Sequence, residues 1–222
     1  MSTTYDCRDG RDAAPGVGAA AAALKRGELV VLPTDTVYGI AADAFDAAAV
    51  GRLLEAKGRG RDMPVPVLVG GWKTLDGLAD DVTPLMRTLV ETFWPGGLTL
   101  VVTAAPSLAW DLGETRGTVA IRMPMHPVAL AVLDATGPLA VSSANRSGLP
   151  PAVDCAEAAR QLGLAVEVYL DGGDVAQPVE GVPAGGLPSS IVDLTGEAPR
   201  LLRAGAVPEE DLRKVLPDLV LA

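Results

Sequence analysis

The sequence predicts an α/β fold, an open twisted sheet of mixed strand direction flanked by helices. Short β-branched and leucine runs recur along the chain, and capped segments of helical period separate many of them while turns alone separate others. Strands joined in both ways build a mixed sheet with helices packed on it. With 222 residues and 49% hydrophobic content the chain can form a substantial core. One domain is expected over residues 13–207, with residues 1–12 as an N-terminal extension and residues 208–222 as a C-terminal helix and tail.

Gly16 to Arg26 reads as a helix closed by Gly27, and Glu28 to Leu32 as a buried strand ended by Pro33. Asp46 is an N-cap for a helix carrying Val50, Leu53 and Leu54 at helical spacing, after which Val65 to Val69 is a strand. Thr83-Pro84 sets a cap before a proline at the first helical position and opens a helix over Leu85 to Phe93. Leu98 to Thr103 and Thr118 to Met123 are β-rich. His126-Pro127 starts a helix ending at Gly137, and Pro138 to Ser143 is the next strand. Asp154 with Glu157 resembles a capping box. Val166 to Leu170, Ser190 to Leu194 and Arg200 to Arg203 complete the strands, and Pro208 to Val215 closes the chain as a helix. Between them, Asp171 to Pro188 crowds glycine and proline around Asp174 and Glu180 and reads as a long surface loop, a length that accompanies function or disorder in compact domains.

Composition removes several function classes. Apolar stretches are broken by charge or proline before they reach a membrane span, and no basic start followed by an apolar core marks a secretory signal. Cys7 and Cys155 lie far apart without metal-ligand spacing, which fits reduced thiols in a cytoplasmic protein. His126 is the only histidine, so a multi-histidine zinc site is excluded and a histidine triad disfavoured; no metal ligands are expected. A formal net charge of −10 argues against a broad surface gripping RNA, so any basic site must be local.

The polar turn Pro33-Thr34-Asp35-Thr36-Val37-Tyr38-Gly39 follows a buried strand, where α/β sheets bind ligands. Local backbone capping by Thr34, Asp35 and Thr36 is the plainer reading. Lys57-Gly58-Arg59 ends a helix; if Gly58 stops it, Lys57 and Arg59 can point the same way as a cationic clamp, or they simply complement the helix dipole. Ser143 and Asn145, two apart after a strand, fall on one side of an extended chain or belong to an Asn turn. Arg122 sits in an otherwise apolar strand and needs a partner or an anionic ligand unless the strand is an edge. Ser189, Ser190 and Arg203 can hold phosphate oxygens behind a glycine-rich loop, although turn formation also explains the serines. No P-loop or Rossmann string occurs.

Taken in order, PTDTVYG, KGR, WPGGLTLVV (Trp94 to Val102), VAIRMP, SSANRSG, PSSIVD and LLRAGA resemble the YrdC/TsaC family of L-threonylcarbamoyladenylate synthases, over about Ala13 to Val207. The resemblance implies a single domain with a concave central cavity, and a reaction joining L-threonine, bicarbonate and ATP into threonylcarbamoyl-AMP with release of pyrophosphate. That product feeds threonylcarbamoylation of a tRNA adenosine through a transferase complex. The family's catalytic and nucleotide contacts fall on Lys57, Arg59, Ser143 and Asn145, its threonine pocket on Thr34, Tyr38 and Arg122, and its adenylate side on Ser190 and Arg203. Gly60, Val65 and Ala204 depart from the common pattern, and the strand Val65 to Val69 lacks the histidine many members place beside threonine. The chain resembles the short form without an added C-terminal domain.

Such chemistry needs positioning and charge neutralisation more than a protein nucleophile. Magnesium would accompany ATP, with no dedicated carboxylate cage evident. Alanine at Lys57 or Arg59 is expected to abolish adenylate formation with the fold intact. The competing class is an RNA-binding module of the same fold acting in ribosome maturation without catalysis. A hydrogenase-maturation carbamoyltransferase would need zinc-binding cysteines that two thiols cannot supply.

Overall fold

The chain starts with a strand that its composition conceals. In the computed structural model, which describes residues 1–9, 13–178 and 184–222, β1 (Thr3–Asp6) pairs in parallel with a strand far along the sequence. Residues 10–12 of the expected N-terminal extension, and residues 179–183 within the expected loop, lie outside the described residues.

Helix α1 (Ala13–Lys25) leads to β2 (Val30–Leu32), and the polar turn then runs directly into β3 (Gly39–Asp43). Helix α2 (Ala47–Lys57) is capped as expected, with the Asp46 carboxylate accepting from the Ala48 and Ala49 amides and Gly58 closing it in the left-handed region. There follow β4 (Val67–Leu68), a 3₁₀ turn (Trp72–Thr74) merging into α3 (Leu75–Leu78), and α4 (Pro84–Phe93), where Thr83 accepts from the Met86 amide. Strands β5 (Leu98–Thr103) and β6 (Thr118–Arg122), helix α5 (Pro127–Thr136) and β7 (Leu139–Ser143) come next. In α6 (Cys155–Leu162), Asp154 accepts from the Glu157 amide, whereas the Glu157 carboxylate accepts from Arg160 and Gln161, so the capping box is half-formed. The chain finishes with β8 (Val168–Asp171), β9 (Ser190–Asp193), β10 (Arg200–Arg203), α7 (Glu209–Val215) and β11 (Val220–Leu221).

Among the described residues these strands form one open sheet in the order β1-β8-β2-β3-β7-β4-β6-β5-β9-β10-β11, mixing parallel and antiparallel neighbours. Both terminal segments, expected outside the domain, therefore add strands to it, and Leu212, Leu216 and Leu219 of the C-terminal segment join the core. The alternation of side chains along each strand divides the core in two. On one face Val31, Ile40, Ala140 and Tyr169 pack with residues of α2, α4 and α6; on the other Val30, Leu32, Ala41, Val141 and Leu170 pack with α1 and α5. The core cluster that contains α1 and α5 includes no described residue of β5, β6, β9 or β10, and residues of these strands line a cavity instead.

Candidate active site

Strand parity selects what faces this concavity. Along β5, Leu98, Leu100 and Val102 belong to the core, so Thr99 and Val101 face the other way; along β6, Val119 and Ile121 are core and Ala120 and Arg122 face out. Those outward residues line a cavity of about 400 Å³, together with Thr34, Thr36, Arg59, Ser142, Ser143, Ser189 and Arg203. That volume suits a small-molecule substrate rather than a macromolecule.

The polar turn supplies one wall. The Thr34 hydroxyl donates to the Val37 carbonyl at 2.7 Å and lies 2.9 Å from the Thr36 hydroxyl. Arg122 donates through Nη1 to Thr36 Oγ1 at 2.8 Å, through Nη2 to Asp35 Oδ1 at 2.6 Å and through Nε to the Gly96 carbonyl at 2.9 Å. Asp35 also accepts from the Met125 amide at 2.7 Å. Two of the five guanidinium N–H groups are left for a ligand. Asp35 is thus the partner that the buried charge in β6 requires, a role its neighbours in sequence do not disclose.

The opposite walls are cationic and hydroxyl-bearing. Arg59 Nη1 donates to Ser142 Oγ at 3.2 Å, while its buried Nε has no protein partner. Arg203 donates from Nε to the Ser189 carbonyl at 2.8 Å and from Nη2 to Ser189 Oγ at 2.9 Å; Ser189 Oγ also shares a hydrogen bond with Thr99 at 2.8 Å. Burial lowers the proton affinity of all three guanidiniums, and at Arg203 the charges of Arg122 and Arg59 lower it further. Among the described residues no carboxylate lines the cavity. Arg122 is neutralised by Asp35, whereas Arg59 and Arg203 have no carboxylate partner among the described residues, so the cavity carries net positive charge suited to a polyanion.

The remaining sequence-derived residues stand behind this surface. Lys57, 3% exposed, donates to the carbonyls of Ser143 and of Asn145 (2.8 Å) and to Asn145 Oδ1 at 3.3 Å. Burial, then the Arg59 charge, pulls its ammonium down to about 8. Asn145 uses its amide nitrogen on the Arg146 and Leu149 carbonyls, and neither Lys57 nor Asn145 lines the cavity. Lys57 and Arg59 do converge on one segment, 142–145, as a helix stopped at Gly58 allows. Ser190 lies on the core side of β9, its hydroxyl donating to the Val207 carbonyl and accepting from the Val207 amide. Tyr38, by contrast, borders the cavity although it is 0% exposed, and its hydroxyl is engaged on Gly172 and Gly173. The cavity-facing Thr36, Ser142 and Ser189 sit inside the motifs, but only pairing register reveals their orientation. Among the described residues no cluster of three or more His, Cys, Asp or Glu could hold a metal, and no helix is long and apolar enough to cross a membrane.

Comparison with known proteins agrees with this architecture. The Sua5/YciO/YrdC family model, whose description reads "Telomere recombination", matches residues 22–205. A Mycobacterium tuberculosis protein with the provisional name threonylcarbamoyl-AMP synthase is 56% identical over 216 residues, covering 97% of this chain and 96% of its own. A Pyrococcus abyssi protein named threonylcarbamoyl-AMP synthase is 36% identical over 201 residues, covering 90% of this chain and 57% of its own. The crystal structure of P. abyssi Sua5 complexed with L-threonine superposes with a TM-score of 0.88 at 32% identity, covering all of this chain and 62% of that one. Escherichia coli YciO shares the fold at a TM-score of 0.83 and 22% identity, covering 97% of this chain and all of its own. On the match over residues 22–205, the chain belongs to the Sua5/YciO/YrdC family.

Proposed function

We propose that this protein is a threonylcarbamoyl-AMP synthase, forming threonylcarbamoyl-AMP and pyrophosphate from L-threonine, bicarbonate and ATP. The observation that carries the reading is the cavity itself: Arg59, Arg122 and Arg203 converge on it, and among the described residues no carboxylate lines it. The name carried by the mycobacterial relative and the threonine complex of P. abyssi Sua5 support it over an RNA-binding module without catalysis.

In this reading threonine's amine condenses with bicarbonate, losing water, to give an N-carboxylate. One of its oxygens attacks the α-phosphorus of ATP in line, and pyrophosphate leaves. Arg122 and the Thr34–Thr36 turn hold threonine, with the two unused Arg122 N–H groups meeting its carboxylate. Arg59 and Arg203 bind phosphate oxygens, and Ser143 donates from the facing wall. Lys57 and Asn145 hold the Ser143 segment from behind, and Ser190 braces the turn at Val207 beside Arg203. Magnesium enters as part of the ATP substrate, held on its phosphates. The product passes to a tRNA threonylcarbamoyl transferase complex in the cytoplasm, a compartment in keeping with two buried free thiols.

The test supplies ATP, bicarbonate and isotopically labelled threonine and omits each in turn. Pyrophosphate and labelled adenylate should appear only with all three present. Pyrophosphate released equally without threonine overturns the reading.

A further inference from the structure

Tyr38 belongs to the ligand-facing turn yet is 0% exposed, and its hydroxyl is committed elsewhere. Oη donates to the Gly173 carbonyl at 2.7 Å and accepts from the Gly172 amide at 3.0 Å. A phenol has one proton, so no donor remains for a substrate. Gly172 presses against the same turn so closely that a Cβ there would lie 2.7 Å from Pro33 Cγ.

The segment that leaves the turn at Gly172 comes back to it. Gly186 N–H donates to the Thr36 carbonyl at 2.5 Å, and Gly185 N–H to the Val175 carbonyl at 2.7 Å. A Cβ on Gly185 would stand 2.6 Å from the Thr36 carbonyl oxygen and 3.0 Å from that of Asp35. Both feet of this segment therefore stand on residues 33–38. The other side of those residues bears the Thr36 hydroxyl and the Asp35 carboxylate that aim Arg122 into the cavity.

We propose that Tyr38 is a positioning residue for the threonine side of the cavity, locking the Gly172–Gly173 foot to the turn and so fixing Thr36 and Arg122 at their observed places. Its ring borders the cavity, but its hydroxyl donates no hydrogen bond to threonine. The nucleotide-side groups are held independently, Arg59 by Ser142 and Arg203 by Ser189, and so escape this control. The substrate assignment rests on the synthase reading; the mechanical coupling between the feet does not.

The test uses the full chain with Tyr38→Phe, which keeps the ring and removes both hydrogen bonds, and with Gly185→Ala, which wedges the other foot. In Tyr38→Phe, amide hydrogen exchange should quicken at Gly172 and also at Gly186, whose amide has no bond to Tyr38. Gly185→Ala should quicken exchange at Gly172. Each variant should raise KM for threonine about tenfold more than KM for ATP, the scale of one lost hydrogen bond. Unchanged Gly186 exchange in Tyr38→Phe, or equal effects on the two KM values, overturns the proposal. Should Tyr38→Phe fail to fold, Gly185→Ala decides by the same two readouts. Absence of threonine-dependent pyrophosphate release in the parent protein would defeat the synthase reading, while the exchange measurements would still decide whether Tyr38 couples the two feet.

Discussion

Arg122 and Asp35 form a buried ion pair, Nη2 to Oδ1 at 2.6 Å, with side-chain exposures of 7% and 3%. Removing one partner leaves the other charged in a poorly solvated place. Asp35→Ala should cost about 3–5 kcal/mol in urea unfolding, the range for an orphaned buried charge. The double variant Asp35→Ala/Arg122→Met should cost less than the sum of the single changes. Additive losses would show that the pair is not coupled.

Lys57 is more than a cation at a helix end. Its ammonium serves the Ser143 and Asn145 carbonyls and the Asn145 side chain, so Lys57→Ala strands buried acceptors as well as removing charge. The expectation of an intact fold is thus revised: the variant should lose at least about 2 kcal/mol of stability. A urea midpoint equal to that of the parent protein would contradict this.

The lowered proton affinity of Lys57 also sets an alkaline limit. With its ammonium pulled down to about 8 by burial and Arg59, the charged form dominates below that pH and is lost above it. The kcat/KM for pyrophosphate release, which reports the free enzyme, should fall as pH rises through about 8. A profile flat to pH 10 would remove Lys57's charge from the reaction.

His126 is buried with Nδ1 unpartnered, and burial lowers it from 6.5 to about 4 despite the nearby Asp35. Between those values the unfolded chain binds the proton and the folded one does not, so stability rises with pH across the window. The unfolding free energy from denaturant titration should therefore fall as pH drops from 6.5 toward 4, by on the order of 3 kcal/mol in all. His126 is the only histidine in the chain, so His126→Leu should flatten the upper part of that window, above the carboxylate range.

Gly58 closes α2 at φ +62°, and a Cβ there would meet nothing within 4 Å. The cost of Gly58→Ala is therefore backbone strain alone, about 1 kcal/mol, readable as a lowered Tm. A larger loss would mean that the Lys57–Arg59 geometry shifts with it.

Much of the fold was legible because its signals are local. Asp46, Thr83-Pro84 and Gly58 mark helix ends by chemistry that acts within a few residues, and the structure places helix ends beside them. Strand β3 was missed because Gly-Ile-Ala-Ala-Asp has weak strand propensity and is buried on both faces, so no alternation shows; it is held by antiparallel partners on each side, β2 and β7. Strands β1 and β11 are likewise made by pairing with β8 and β10.

The sequence by itself determined the capped helix ends at Asp46, Gly58 and Thr83, most of the strand-forming runs, and the motifs from which the cavity is built. Tertiary structure alone decided which member of each motif faces the cavity. Ser189 does and Ser190 does not; Arg59 does and Lys57 does not; Asp35, open in the sequence, became the counter-ion of Arg122. The reason is that adjacent strand residues point to opposite faces, and which face is buried depends on partners tens of residues away.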